Sequence, residues 1–175
     1  SFLMCYYVPS MFSDDVPKIS MLSWALFSMA SSRAHVRLVR DRQLALDIGA
    51  EAMFQRFPNL FYVEADLRSG VTAEKAGAEF DRIIEDVKVN GISQEELLRV
   101  KNALKYATVQ QLKSPSGVAN WFASAEFYWN DYRKASDLLN RFHQMSVADL
   151  QQAAKQYLRK ENRVVVVLRS KKAKR

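Results

Sequence analysis

The sequence has few of the residues from which most metal and catalytic sites are built. It contains two histidines, His35 and His143, and a single cysteine, Cys5. A zinc site needs several imidazole, thiolate or carboxylate ligands that converge on one point. The two histidines fall in separate predicted helices, and no H-x-x-E-H or H-E-x-x-H stretch is present. We therefore expect no metal site and no catalytic residue in this chain.

Other signatures of enzymes and membrane proteins are also missing. There is no glycine-rich phosphate loop and no G-x-S-x-G stretch. Cys5 has no partner for an internal disulfide, and its apolar neighbours predict a buried, inert thiol. No uninterrupted apolar stretch approaches the roughly 20 residues of a membrane-spanning helix. Taken alone, the residues indicate a domain without a recognisable active site.

Positive charge is concentrated at the C-terminus. The formal net charge is +7, and five basic side chains with no acid lie in residues 169–175. We expect this segment to be a disordered basic tail, which is the usual state of such an end. A basic nucleic-acid-binding domain is the less favoured alternative, because no aromatic residues alternate with the tail charges as single-strand binders require. The remainder of the chain is nearly balanced in charge.

The pattern of apolar residues predicts an α+β domain. A strand over residues 2–8 precedes two helices, a hairpin of strands over 46–54 and 60–67, about five further helices, and a final strand over 164–168. Thr72, Ser93 and Ser146 are predicted helix N-caps. We therefore expect one domain over residues 1–168, with a small, mostly antiparallel sheet packed against several helices.

Two predictions concern apolar groups along the chain. The run of valines at 164–167 is typical of a central, buried strand. An aromatic group in the helix predicted to start at Ser114-Pro115 has the spacing of core residues, and a peptide-binding wall is the less favoured interpretation. The group consists of Trp121, Phe122, Phe127, Tyr128 and Trp129.

Four stretches, in this order and spacing, carry a resemblance to a known family. They are S-S-R at 31–33, L-V-R-D-R-Q-L-A-L-D-I-G-A at 38–50, N-G-I-S-Q-E-E-L-L-R-V-K at 90–101, and a C-terminal series from F-Y-W-N-D-Y at 127–132 to the valine run. The sequence resembles the C-terminal, non-catalytic domain of insulinase/pitrilysin-type zinc metallopeptidases, which include the mitochondrial processing peptidases. Because family domains have more chain before the first strand, we expect a fragment that lacks its first elements.

The resemblance implies a role without catalysis. The chain is expected to be the substrate-enclosing half of a zinc endopeptidase, inactive by itself. It would close against a catalytic domain that carries the zinc, on the same or a partner chain, around an extended peptide. A structural or assembly subunit without proteolysis is the alternative. Members occur in the periplasm, cytoplasm and mitochondrion, and the periplasm is weakly favoured.

One residue is a candidate for substrate binding. Members often place an arginine and a tyrosine on the second stretch, where both hold substrate. Arg40 fits the arginine position, with a structural role at a helix end as an equal alternative. The tyrosine position falls on Leu46, and only if one residue is deleted, so the phenol is absent.

Overall fold

A computed structural model describes residues 1–168, without the side chain of Leu138. The predicted basic tail, residues 169–175, lies outside the described residues. Four antiparallel strands form one sheet in the order β2-β3-β1-β4. The strands are β1 (Phe2–Val8), β2 (Ala45–Ala52), β3 (Asn59–Leu67) and β4 (Arg163–Val167). The fold is α+β, as the sequence predicted.

Helices occupy most of the remaining chain. The α-helices are α1 (Val16–Ser23), α2 (Ala73–Asn90), α3 (Gln94–Gln111), α4 (Pro115–Trp129), α5 (Lys134–Gln144) and α6 (Val147–Tyr157). A 3₁₀ turn (Lys160–Asn162) leads into β4. Two stretches are π-helical: the first π segment (Trp24–Ser28) continues α1, and the second π segment (His35–Asp41) precedes β2. Such segments are rare and frequently occur at functional sites.

The sheet is covered by helices on one face only. In β1, Phe2, Met4, Tyr6 and Val8 are buried, whereas Tyr7 on the opposite face is 56% exposed. The same alternation holds in β3, where residues 61, 63 and 65 are buried and residues 64 and 66 are exposed. Because successive side chains of a strand point to opposite faces, one face forms the core with the helices and the other is open.

The predicted N-caps are confirmed. The Thr72 hydroxyl accepts a hydrogen bond from the Lys75 amide, which begins α2. Ser93 and Ser146 each form a capping box, in which the cap hydroxyl and an acidic side chain three residues later satisfy each other's free amides. These local interactions set where α2, α3 and α6 begin.

Two predictions about apolar groups are wrong. β4 is an edge strand, and its valines are 38–63% exposed, because it pairs with β1 alone in the described sheet. The aromatic group of α4 is not core either, since Ala125 is the buried residue of that helix and Phe127 is 81% exposed. Cys5 is half-buried rather than buried, and partial burial raises the pKa of its thiol.

Ion pairs connect β4 to the helical layer. The Arg163 guanidinium contacts the Asp81 carboxylate of α2, and Lys160 Nζ lies 3.3 Å from the other Asp81 oxygen. Burial raises the pKa of Asp81, but these two cations outweigh it and hold the pKa below its ordinary value. The edge strand is therefore fixed by charge on the side that faces α2.

Candidate functional site

Arg40 lies in the last turn of the second π segment, just before the chain enters β2. Its side chain is 70% exposed, and its Nε donates a hydrogen bond to Asp41 Oδ1 at 2.9 Å. Exposed ion pairs contribute about 0–1 kcal/mol, so this pair is easily exchanged for another acceptor. The guanidinium of Arg40 is available to a ligand that approaches the start of β2.

Leu46 lies at an irregularity in β2. The pairing of β2 with β3 shifts between Ala45 and Asp47, which leaves Leu46 without a partner in the register. Its side chain is 59% exposed. A β-bulge inserts one residue and re-aims its side chain. An exposed apolar group therefore stands close in sequence to Arg40, at the position where the family pattern has a phenol.

The turn between Arg40 and Leu46 contains a residue in an uncommon backbone conformation. Gln43 has φ 51°, in the left-handed region that favours glycine. The Leu44 amide donates to the Leu38 carbonyl at 2.7 Å, and the Arg42 amide donates to the Arg37 carbonyl at 2.9 Å. These two hydrogen bonds hold the turn closed and bring Arg42 next to the second π segment.

A buried carboxylate anchors arginines beside Arg40. The Glu79 side chain, on α2, is 7% exposed. Its Oε2 accepts from Arg37 Nε at 2.9 Å, and its Oε1 accepts from Arg82 at 2.6 Å. Burial raises the pKa of Glu79, but the hydrogen bond from Arg37 and the charges of Arg37, Arg82 and Arg42 outweigh it, so the pKa is lowered. Glu79 is therefore ionised at neutral pH, in contact with Arg37 and Arg82 and under the charge of Arg42 as well.

Sequence reasoning missed this cluster, although a signal was present. Glu79 falls among the apolar residues of α2, one helical turn from Ala76 and Ile83, both of which are buried. A charged residue on the apolar face of a helix is rarely buried unless it is paired. Arg82, three residues later on the same helix, is one such partner. Its second partner, Arg37, is distant in sequence and could not be predicted locally.

The aromatic group of α4 borders a groove in the helical layer. The groove has a volume of about 540 Å³ and is lined by Phe12, Phe54, Trp129, Lys134 and Arg141, among others. Phe12 and Trp129 contact each other edge to face at 6.2 Å between ring centroids. A smaller apolar depression, lined by Trp121 and Tyr128, adjoins it and shares Trp129. These rings form an exposed surface rather than a core.

The described residues do not fit a zinc site. Within residues 1–168, no three histidine, cysteine, aspartate or glutamate side chains are grouped so that they could hold a metal ion. His35 Nε2 lies 4.0 Å from Asp47 Oδ1, and His143 lies on α5. In the same part of the chain, no helix combines the length and apolarity needed to cross a bilayer.

Comparison with known proteins gives the chain a family. The family described as the peptidase M16 inactive domain matches residues 1–104. Zinc protease PqqE of Helicobacter pylori is 28% identical over 164 residues, which cover 94% of this chain and 37% of that protein. The chain thus spans little more than a third of the length of this curated relative.

Solved structures have the same fold. A protease from Helicobacter pylori superimposes with a TM-score of 0.87 at 26% identity, over 94% of this chain and 39% of that one. The inactive peptidase domain of a putative zinc protease from Bordetella parapertussis superimposes with a TM-score of 0.86 at 24% identity. That likeness covers 99% of this chain and 92% of that one. The resemblance to insulinase/pitrilysin-type zinc peptidases is confirmed.

Proposed function

Since the chain belongs to the peptidase M16 inactive-domain family, we propose that it is the non-catalytic, substrate-enclosing half of a zinc-dependent endopeptidase. This proposal is carried by the match to the inactive-domain family. In keeping with it, residues 1–168 contain no group of side chains that could hold a metal ion. The catalytic zinc domain, on the same polypeptide or on a partner, would bind the metal that activates water. Residues 1–168 would act as one domain, opposite that catalytic domain.

Arg40 is the substrate-binding residue in this proposal. Its guanidinium is 70% exposed and carries donors that suit the carbonyl groups of an extended peptide. The peptide would add as a strand to a sheet edge in the catalytic domain, and Arg40 would contact it from the opposite wall. Leu46, 59% exposed, would contribute an apolar contact there without a hydrogen bond.

The first experiment is to read the coding region upstream of Ser1 and the neighbouring genes for an H-x-x-E-H stretch with a downstream glutamate. The encoded zinc domain is then expressed with and without this chain, and cleavage of quenched fluorescent peptides is measured. We expect hydrolysis when both halves are present and little when either is missing. Full activity of the zinc domain alone would contradict the proposal.

A structural or assembly subunit is the second candidate. The exposed leucine at residue 46, where the family pattern has tyrosine, favours it, because a substrate-holding hydrogen bond is lost. This candidate predicts that the chain copurifies with its partners as a stoichiometric complex. It also predicts that no subunit of the complex has a zinc motif in its sequence. An H-x-x-E-H stretch on any subunit of that complex would argue against it.

We also propose a periplasmic location. The support is fold likeness to the Escherichia coli protein described as the periplasmic protease PqqL, with a TM-score of 0.66 at 15% identity. Cell fractionation with an antibody to this chain tests the location. Recovery with the cytoplasmic marker rather than the periplasmic one would contradict it.

A further inference from the structure

We propose that Arg37, Arg42 and Arg82, arranged around the buried carboxylate of Glu79, form an anion subsite for acidic side chains of a polypeptide. The assignment of this polypeptide as a substrate depends on the function proposed above. The subsite itself depends on the geometry of the cluster. It would make acidic stretches the preferred peptides of the protease.

The arginines keep donors available for a ligand. Glu79 accepts one hydrogen bond from Arg37 and one from Arg82, although each guanidinium carries five N–H donors. Across residues 1–168, the side chain of Arg42 makes no hydrogen bond or direct ion pair, and it is exposed. The Arg82 side chain is 65% exposed and that of Arg37 is 42% exposed. An incoming carboxylate therefore finds oriented donors at the surface.

The cluster has surplus positive charge. Two guanidinium groups contact the Glu79 carboxylate, the charge of Arg42 acts on it as well, and the lowered pKa of Glu79 keeps that carboxylate ionised at neutral pH. The neighbouring acid Asp41 is already paired with Arg40. The buried Glu79 carboxylate limits the movement of Arg37 and Arg82, while the exposed parts of these guanidinium groups still present positive charge to solvent. This arrangement favours a second, external anion.

The position of the cluster suits a peptide that passes Arg40. Arg37 lies three residues before Arg40 in the second π segment, and the Arg42 amide donates a hydrogen bond to the Arg37 carbonyl. A peptide whose backbone contacts Arg40 would thus place neighbouring side chains against Arg37 and Arg42. Guanidinium groups bind carboxylates through paired hydrogen bonds, which is the chemistry of glutamate and aspartate side chains.

The same cluster is poorly suited to nucleic acid. Single-strand binders stack bases on aromatic side chains that alternate with the charges. The residues adjacent to Arg37 are Val36 and Leu38, and those adjacent to Arg82 are Asp81 and Ile83. The sequence neighbours of these arginines therefore supply no aromatic ring, and the charge and hydrogen bonds of the guanidinium groups are best suited to carboxylates.

Binding is tested on the full 175-residue chain by fluorescence anisotropy at low salt. The probe is a labelled peptide of alternating glutamate and alanine, and its lysine analogue is the charge control. We expect binding of the glutamate peptide only, weakened about threefold by Arg82→Ala and about tenfold when Arg42→Ala is added. Added sodium chloride should weaken it further, because salt screens exposed charges.

Two variants control for general electrostatics. Arg99→Ala removes an exposed arginine that pairs with a glutamate on its own helix, as Arg82 does, but on α3. A full-length variant with glutamine in place of Arg169, Lys171, Lys172, Lys174 and Arg175 removes the tail charge. We expect both variants to bind the glutamate peptide within about twofold of the parent chain. Circular dichroism establishes that all variants are folded.

Three outcomes would overturn the proposal. These are equal weakening by Arg99→Ala and Arg82→Ala, loss of binding in the tail variant, and tighter binding of a single-stranded oligonucleotide than of the glutamate peptide. The last outcome would indicate a nucleic-acid surface instead.

A second readout separates this proposal from the proposed function. In the assembled protease, the Arg42→Ala/Arg82→Ala chain should raise KM for the glutamate peptide about tenfold and leave kcat unchanged. If no zinc domain is found, arginine-dependent binding by the chain alone would still support the anion subsite, and the protease role would fail by itself.

Discussion

Arg33 and Glu96 form a two-pronged ion pair that joins the chain after the first π segment to the start of α3. Arg33 Nε donates to Glu96 Oε1 at 2.7 Å, and Arg33 Nη2 donates to Glu96 Oε2 at 2.8 Å. The same glutamate accepts from the Ser93 amide as part of the capping box. Two stretches that carry the family resemblance, 31–33 and 90–101, thus meet through one carboxylate with a structural role.

Removal of the Glu96 charge should destabilise the domain. Glu96→Gln keeps an oxygen for the cap but loses the charged partner of Arg33, and we expect a loss of about 2 kcal/mol in the free energy of unfolding at neutral pH. Urea denaturation measures this loss. Glu95→Gln is the control, since Glu95 is 79% exposed and its change should stay within about 0.5 kcal/mol. Equal effects of the two substitutions would contradict the structural role of Glu96.

The contribution of Glu96 to the free energy of unfolding should depend on pH. The hydrogen bond from Arg33 lowers the pKa of Glu96 from 4.5 to about 2 in the folded chain. A carboxylate with a depressed folded pKa stabilises fully above its unfolded pKa, and this stability is lost as the pH falls through the folded value. The difference between the parent chain and Glu96→Gln should therefore shrink from neutral pH to about pH 3. A difference that stays constant over this range would argue against the ion pair.

Glycine at residue 43 should stabilise the turn before β2. Gln43 has φ 51°, and a side chain costs about 1–2 kcal/mol there, so Gln43→Gly should gain about 0.5–1 kcal/mol after the flexibility of unfolded glycine is included. Asn130, with φ 52°, is the comparison. Asparagine tolerates this region better than glutamine does, so Asn130→Gly should gain less. Thermal unfolding of both variants measures the two gains in stability. A larger gain for Asn130→Gly than for Gln43→Gly would contradict backbone strain at Gln43.

Arg40→Ala should impair turnover by the complete protease without a lower melting temperature. Arg40 is exposed and pairs only with the adjacent Asp41 among described ion pairs, so its loss should cost less than about 0.5 kcal/mol of stability. We expect the rate of peptide cleavage to fall about tenfold or more if the guanidinium holds substrate. Arg99→Ala is the matched control. Unchanged turnover would remove Arg40 from the site and leave it a structural residue.

A tyrosine at residue 46 should increase turnover by the complete protease. Leu46 is 59% exposed at a bulge in β2, so a larger ring costs no core packing. Leu46→Tyr supplies the phenol of the family pattern, and Leu46→Phe supplies the ring without the hydroxyl. We expect a several-fold rise in kcat/KM for tyrosine and little change for phenylalanine, because the gain comes from one hydrogen bond. Equal behaviour of the two variants would favour the structural-subunit alternative.

Local sequence signals predicted most of the fold. The caps at Thr72, Ser93 and Ser146 and the alternation in β3 depend on residues a few positions apart, so they were readable directly. The edge position of β4 in the sheet could not be predicted, because a valine run indicates strand propensity but not which strands lie on either side. The aromatic group of α4 was misassigned for a related reason. Helical spacing identifies one face of a helix, but only the packed fold determines whether that face is covered.

The candidate site was predictable in part. Arg40 and Leu46 were found through resemblance to a sequence pattern. The Glu79 cluster was missed because Arg37 and Glu79 lie 42 positions apart and meet only when the second π segment packs on α2. The bulge at Leu46 likewise depends on the register between β2 and β3.

The pairing of β1 with β4 sets the order in which this domain can be completed during synthesis. Phe2 of β1 pairs with Val167 of β4, at the other end of the domain in sequence. Within this domain, the ribosome therefore releases the apolar strand β1 before the helices, and the strand that completes this edge of β1 follows only after them. Until then one edge of β1 stays unpaired, which makes the nascent chain a candidate for chaperone binding and makes long-range closure the expected slow step of folding.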